Sequence, residues 1–367
     1  MLPNKWDIYS LLVLSYYKGL TSDIIKEIVE KYDSLDHLMN AELPQQLNLI
    51  LHQGELFKKA SKIPEKEAEK QLKLAEDSEI EIITFWDDRY PYLLKQIYES
   101  PPFIFVKGKL QIADIPSISI VGTRKCSQYG RIMGERFSEY FAAKGVVIVS
   151  GLAYGIDSIA HLSAVNAGGI TYSVIASGID KLSPSTSVKN SEKIIENGGA
   201  IISIFKCGVR AFPSFFLQRN RIISGMSKAT LIIESKYKGG SLNTAKFANA
   251  QNRDVFAVPG NIGAKNSEGT NNLIKKNLAA IATSPESLFE EIGYDGYSNL
   301  SLIEMPENKL INEEERLIFK NLDYNPIHID NLALKVGMDM PQLLVVLLNM
   351  EFSNSIKQLP GKYYIRA

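Results

Sequence analysis

From Ser117 onward the chain alternates between two periodicities, and this leaves few folds open. Short apolar runs predict strands at 118–122, 146–150, 172–176, 200–204, 229–234 and 254–258. Stretches of helical spacing predict helices at 127–144, 157–168, 188–197, 218–227 and 241–251 between them. Strands that are apolar throughout suit a parallel sheet covered on both faces, with right-handed crossovers. The first two units break in the same way. Ser119-Ile120-Val121-Gly122-Thr123-Arg124 and Val149-Ser150-Gly151-Leu152-Ala153-Tyr154-Gly155-Ile156-Asp157 each run from an apolar strand through glycine into a helix. Two such loops on neighbouring parallel strands open at one sheet edge, where backbone N–H groups and helix N-termini favour an anion, above all phosphate.

The charge map says where such an anion would sit. The formal net charge is zero, but it is unevenly spread. Residues 1–80 carry 10 Lys against 14 Asp and Glu, net −4; residues 113–283 carry 20 Lys and Arg against 10, net +10; residues 304–367 carry 7 against 9, net −2. A basic middle between acidic ends points to a polyanionic partner bound in the middle. No apolar run approaches the roughly 20 residues that span a bilayer, and the N-terminus shows no signal-peptide core, so no membrane contact and a cytoplasmic location are expected. Cys126 and Cys207 form no CxxC pair, and the four histidines are scattered, so neither a disulfide framework nor a metal site is expected.

Around the alternating core, residues 7–74 have helical spacing, with Lys58–Glu79 a charged helix leading out of a small module. Glu81–Phe85 and Phe103–Gly108 predict strands, with a short helix starting near Tyr90 between them. Helices at 313–322, 329–336 and 340–350 followed by a hairpin at 356–365 have the order of a winged helix. The expected boundaries are therefore a helical module at 1–78, a core at 79–293, a linker at 294–309 and a winged helix at 310–367.

Arg124 stands where it can clamp a phosphate bidentately. Ser150 adds a hydroxyl to the second loop, and Gly151 and Gly155 repeat the turn logic of Gly122. Asp157 reads as a helix N-cap, and His161, one turn on, as its locking partner rather than a catalytic base. Gln218-Arg219-Asn220-Arg221 follows the aromatic Phe212-Pro213-Ser214-Phe215-Phe216, of which at least two rings are expected in the core; arginines beside rings suit a strand of nucleic acid. Glu234-Ser235-Lys236-Tyr237-Lys238-Gly239-Gly240-Ser241 is a third strand–glycine–helix loop with its own cations. None of these is a dinucleotide GxGxxG with a ribose acid, nor a Walker loop, and no paired carboxylates stand out for acid–base work. No cofactor is expected.

Taken in order, IVGTR, SGLAYGIDSIAH, RNRIISG, GGSLNTA, RDVFAVPG and GTNNLI resemble the DprA/Smf family (DNA processing protein A) from Tyr90 to about Ile292. The resemblance implies an extended Rossmann-like core, a doubly wound and mostly parallel α/β sheet, flanked by an N-terminal helical (SAM-like or helix-hairpin-helix-like) module and a C-terminal winged helix. It implies a non-enzymatic protein that binds incoming single-stranded DNA in natural transformation, protects it, helps load the RecA recombinase and forms a homodimer through the Rossmann-like domain. By position it assigns DNA or phosphate contacts to Gly122, Thr123, Arg124, Ser150, Gly151, Gly155, Arg219, Asn220, Arg221, Lys236, Gly240 and Ser241. The chain departs from the family pattern at Leu182-Ser183-Pro184, at Ile204, and at Leu217-Gln218 before RNR. The rival reading is a nucleotide-processing enzyme related to nucleoside-monophosphate phosphoribohydrolases. The 340–350 helix carries no Lys or Arg; its Leu343-Leu344-Val345-Val346-Leu347-Leu348 run reads as mostly core, with protein contact or self-association rather than duplex reading as the module's expected role.

Overall fold

The structure is a computed structural model that describes residues 2–42, 44, 47, 63–111, 115–182, 185–294, 313–322, 326–352 and 355–366. Ser183 and Pro184 of the family departure, residues 58–62 of the expected charged helix and residues 295–309 of the expected linker lie outside them.

The chain opens with α1 (Ile8–Leu14), α2 (Ser22–Lys31) and α3 (Leu35–Asn40). Each starts where a side-chain oxygen accepts an N–H of the first turn: Asp7 from Ser10, Thr21 from Ile24 and Ser34 from His37. Then follow α4 (Ile63–Asp77), β1 (Glu81–Thr84), the one-turn α5 (Tyr92–Lys95) and β2 (Phe103–Gly108). The alternating stretch gives β3 (Ser117–Val121), α6 (Gln128–Ala143), β4 (Val147–Ser150), α7 (Ile156–Asn166), β5 (Thr171–Val174), α8 (Ser185–Glu196), β6 (Ala200–Ser203), α9 (Pro213–Gly225), β7 (Ala229–Ile232), α10 (Ser241–Ala250), β8 (Asp254–Ala257), α11 (Glu268–Lys275), β9 (Ala280–Ile281) and α12 (Pro285–Glu291). Every expected strand of the core is present. The helix expected at 218–227 begins earlier, because Pro213, whose fixed φ suits the first helical position, opens it.

The strands form one sheet in the order β1-β2-β6-β5-β4-β3-β7-β8-β9. From β6 to β9 all neighbours are parallel; β2 joins β6 antiparallel and β1 joins β2 antiparallel. The chain winds outward from β3 to β6, then returns to β7 on the other side of β3. The carboxyl ends of β3 and β7 therefore diverge at the topological switch point, where α/β sheets open a crevice. Strands β3 to β7 are buried along their length.

The N-terminal helices share an apolar cluster with the sheet, in which Leu11, Leu12 and Val29 meet Phe103, Phe105 and Ile201. Polar contacts fix the same seam. Gln71 donates to the Cys207 carbonyl at 3.0 Å and accepts the Cys207 N–H at 2.8 Å. Lys206 Nζ donates to the Ser15 carbonyl at 3.0 Å and lies 3.2 Å above the Tyr16 ring. Residues 1–301 accordingly make one compact unit.

Residues 302–367 make a second unit. It holds α13 (Glu313–Asn321), β10 (Ile327–His328), α14 (Ile329–Val336), α15 (Met340–Phe352), β11 (Ile356–Leu359) and β12 (Tyr363–Arg366). Gly337 closes α14 in the left-handed region at φ +67°. The expected hairpin is β11–β12, and β10 adds a third antiparallel strand to complete the wing. The apolar run of α15 is less buried than the sequence implies. Leu343, Val346 and Leu347 enter the core, while Leu344, Val345 and Leu348 are exposed.

Candidate functional site

Three loops meet at the switch point: Gly122–Lys125 after β3, Gly151–Gly155 after β4 and Lys236–Ser241 after β7. The first two are stitched together. The Thr123 carbonyl accepts the Ile156 N–H at 3.3 Å. Gly155 holds φ +76°, and a Cβ there would lie 2.3 Å from that same carbonyl, so only glycine lets the loops close. The first loop is tied to the third because Thr123 N–H donates to the Glu234 carbonyl at 2.9 Å.

Between them opens a cavity of about 540 Å³. Gly122, Thr123, Arg124, Arg219, Asn220, Lys236, Gly240 and Ser241 all line it. Arg124 and Lys236 are exposed, as are Lys125 and Lys238, which line the same cavity. Lys125 escaped the sequence reading, although its place next to Arg124 in a phosphate-type loop was the available signal. The N-terminus of α10 also faces this space. Gly240, its cap, supplies no side chain, and a Cβ there would meet nothing within 4 Å. The first N–H groups of the helix carry its positive end toward the opening. Ser241 is buried and its hydroxyl donates to Ser235 Oγ at 3.0 Å, so its side chain shapes the loop while its backbone borders the cavity.

Arg219 has a different part from Arg124. It is 4% exposed and lies 3.7 Å from the Asp157 carboxylate. Burial pushes the Asp157 carboxyl up, against the opposing pull of Arg219 and of the N–H groups of Gly122 and Ala153. Asp157 is thus not the N-cap of α7, which is Gly155; it sits in the first turn and ties the first two loops to α9. This pair makes the back wall neutral and leaves Arg124, Lys125, Lys236 and Lys238 as the uncompensated charges among the described lining residues.

Phe216 lies beneath Arg124, 4.9 Å from guanidinium carbon to ring centre, with Arg219 5.8 Å away. A cation held over a ring is positioned before any ligand arrives. The expectation that at least two of the three phenylalanines are core is not met. Phe212 is 61% exposed, Phe215 is half-buried and stacked on Phe205 at 4.4 Å, and Phe216 is half-buried at the cavity. The early start of α9 makes Phe212 its N-cap and puts Phe215 and Phe216 on its first turn, and of the three Phe216 lines the cavity.

Four residues grouped with the site by sequence do not line this cavity: Gly155 serves to close the loops, and three lie elsewhere. Ser150 is fully buried and its hydroxyl donates to the Ile120 carbonyl at 2.6 Å, which leaves nothing for a ligand. Arg221 points away and donates to the carbonyls of Tyr98 and Glu99 at 2.7 and 3.1 Å. Gly151 borders a second, smaller cavity and is packed so closely that a Cβ would sit 1.5 Å from Arg219 Nη1. His161 does not lock onto Asp157. It is fully buried, with Nδ1 2.6 Å from Thr171 Oγ1 and Nε2 accepting the Leu152 N–H at 3.3 Å. Burial, with Arg219 adding to it, pushes its pKa down to about 3, so the ring is neutral.

Among the described residues no group of three or more His, Cys, Asp or Glu is placed to hold a metal. No single described helix is long and apolar enough to cross a membrane.

Comparison with known proteins finds relatives for both units. The family model described as DNA recombination-mediator protein A matches residues 81–293, and that described as DprA winged helix domain matches 305–362. Protein Smf of Escherichia coli is 33% identical over 332 residues, covering 89% of this chain and 87% of that protein. DNA processing protein DprA of Streptococcus pneumoniae is 36% identical over 204 residues, covering 56% of this chain and 72% of the relative. The X-ray structure of DNA processing protein A from Streptococcus pneumoniae is similar at a TM-score of 0.64 with 30% identity, covering 78% of this chain and 98% of that one. DNA processing protein A from Helicobacter pylori, solved to explain its single-stranded DNA binding mode, has a TM-score of 0.51 at 24% identity, a likeness of fold.

Proposed function

The chain belongs to the DNA recombination-mediator protein A family, and from that premise we propose that it binds single-stranded DNA with the cavity between its β3 and β7 loops. In this reading it protects incoming DNA in the cytoplasm during natural transformation and helps load the RecA recombinase, as a homodimer formed through the Rossmann-like domain.

The observation that carries the reading is the charge arrangement of the 540 Å³ cavity. Four exposed cations and a helix N-terminus face it, while the one buried carboxylate in its wall is already paired with Arg219. Such a site attracts phosphate, and the carboxylate among its described lining residues, Asp157, is engaged by Arg219 rather than aimed at a ligand. Phe216 under Arg124 supplies a ring face for a neighbouring base, and the crevice follows the switch point of an open sheet, so a strand can enter and leave. The winged helix is assigned a protein contact or self-association, since the exposed face of α15 is Leu344, Val345 and Leu348.

The test is a pair of assays on the full chain. Mobility shift on an oligothymidine and on a duplex of equal length is expected to show preference for the single strand. RecA nucleation on single strands is expected to accelerate with the wild-type chain and not with Arg124→Ala. Equal binding to duplex, or unchanged RecA nucleation by the wild type, would contradict the reading.

A further inference from the structure

Just past β7 stands Glu234, a carboxylate only 2% exposed that is not among the residues lining the cationic cavity. A buried carboxylate is costly unless donors meet it. Here they come from the segment that follows β3. The Ser127 N–H donates to Oε2 at 2.9 Å, and the Ser127 hydroxyl donates to Oε1. The main-chain carbonyl of Glu234 accepts the Thr123 N–H at 2.9 Å. One residue therefore grips both ends of the stretch Thr123–Ser127, and Arg124 and Lys125 stand between the two grips.

The surroundings fit this hold. Ser127 is the N-cap of α6, its Oγ accepting the Gly130 N–H at 3.1 Å, so the carboxylate lies at the positive end of that helix. Gly130 makes room for it: a Cβ there would lie 2.2 Å from Oε2. Asn266 adds a further tie. Its Nδ2 donates to the Lys125 carbonyl at 2.9 Å and lies 3.5 Å from Oε2. Arg124 and Lys125 are exposed and belong to no helix or strand, so the backbone beneath them is fixed by bonds of this kind. A cation whose backbone is already fixed loses less entropy when phosphate arrives. The charge of Glu234 works the other way, because a carboxylate near an anion site repels the strand. Its help to binding thus comes through the loop it holds.

We propose that Glu234 is a positioning residue for strand binding: its carboxylate, bonded to Ser127, sets the loop that presents Arg124 and Lys125 to phosphate. This rests on the single-strand reading above and names the residue behind its main cation.

The experiment titrates the full chain with an oligothymidine across a salt series, by fluorescence anisotropy, with urea unfolding measured alongside. Glu234→Ala is expected to weaken binding about tenfold, as loss of one charge-assisted bond implies. The slope of log K against log salt is expected to become shallower by about 0.7. Glu234→Gln removes the same charge but keeps an oxygen for the Ser127 N–H and an amide N–H for Ser127 Oγ, so it is expected to restore affinity and slope. Combined with Arg124→Ala, Glu234→Ala is expected to cost less than the product of the two single losses, since both act through one loop. A lowered urea midpoint with a wild-type slope overturns the proposal and leaves Glu234 a purely structural part. Tighter binding by Glu234→Ala overturns it too, since repulsion is then its only effect, and so do losses that multiply in the double variant. If Glu234→Ala does not fold, Ser127→Ala, at an exposed position, parts the hydroxyl from the carboxylate. Weaker binding with a shallower slope is expected there, and unchanged binding overturns the proposal. Failure of the wild type to bind the strand removes the underlying reading itself.

Discussion

His161 allows a prediction in which sign and size both follow from the structure. The imidazole is fully buried between α7 and β5. Its Nε2 accepts the Leu152 N–H, so Nδ1 carries the proton and donates to Thr171 Oγ1, which in turn donates to the Ile148 carbonyl at 2.7 Å. A second proton on Nε2 would face the Leu152 N–H and share the interior with Arg219. Its pKa accordingly falls from 6.5 to about 3. Because folding lowers it, the folded chain binds fewer protons than the unfolded chain in that window. The contribution is whole above the unfolded value of 6.5 and is lost as pH falls from there towards about 3. Going from about pH 8 to about pH 5 removes about 2 kcal/mol, and the full shift corresponds to about 5 kcal/mol. Urea unfolding of wild type and His161→Gln at both pH values isolates this residue, since the other histidines cancel in the difference. The wild type is expected to lose about 2 kcal/mol more than the variant. Equal losses, or an imidazole signal for His161 titrating near its ordinary value, would refute the reasoning.

Three substitutions separate support from contact. Gly151→Ala places a methyl 1.5 Å from Arg219 Nη1 and drives the guanidinium off Asp157; a broken buried pair costs about 3–5 kcal/mol, read as a lowered urea midpoint. Arg221→Ala frees the Tyr98 and Glu99 carbonyls and is expected to cost about 1–3 kcal/mol while leaving the salt dependence of DNA binding unchanged. Gly240→Glu projects into open space, so stability should move by less than about 1 kcal/mol. The new carboxylate at the cavity mouth should nevertheless weaken single-strand binding in an anisotropy titration.

The sheet was legible because its strands are continuous apolar runs that end at glycine or a polar turn, and helices of helical spacing fill the gaps. Strands β9 and β10 were not, since two residues show no periodicity. The glycine loops at Gly122–Arg124 and Lys236–Ser241 announced their chemistry through residue type. The role of Asp157 did not show, because it comes from a contact with a residue on a distant helix. Arg219 and Arg221 could have been told apart. Two residues apart on a helix, they cannot face the same side, and α9 turns one towards Asp157 and the other towards Tyr98. The phenylalanines were misjudged because burial of an aromatic run depends on where its helix starts, and Pro213 sets that start.

Phosphate held by Arg124 and its three lysine neighbours is the centre of the proposed function, and salt dependence measures it most directly. For single strands the slope of log K against log salt is about −0.7 per phosphate neutralised. Wild type and Arg124→Ala, titrated with an oligothymidine across a salt series, are expected to differ in slope by about 0.7, with the variant weaker on every sequence alike. An unchanged slope for Arg124→Ala, or wild-type binding that does not respond to salt, would contradict the claim that this cavity is the anchor for the strand.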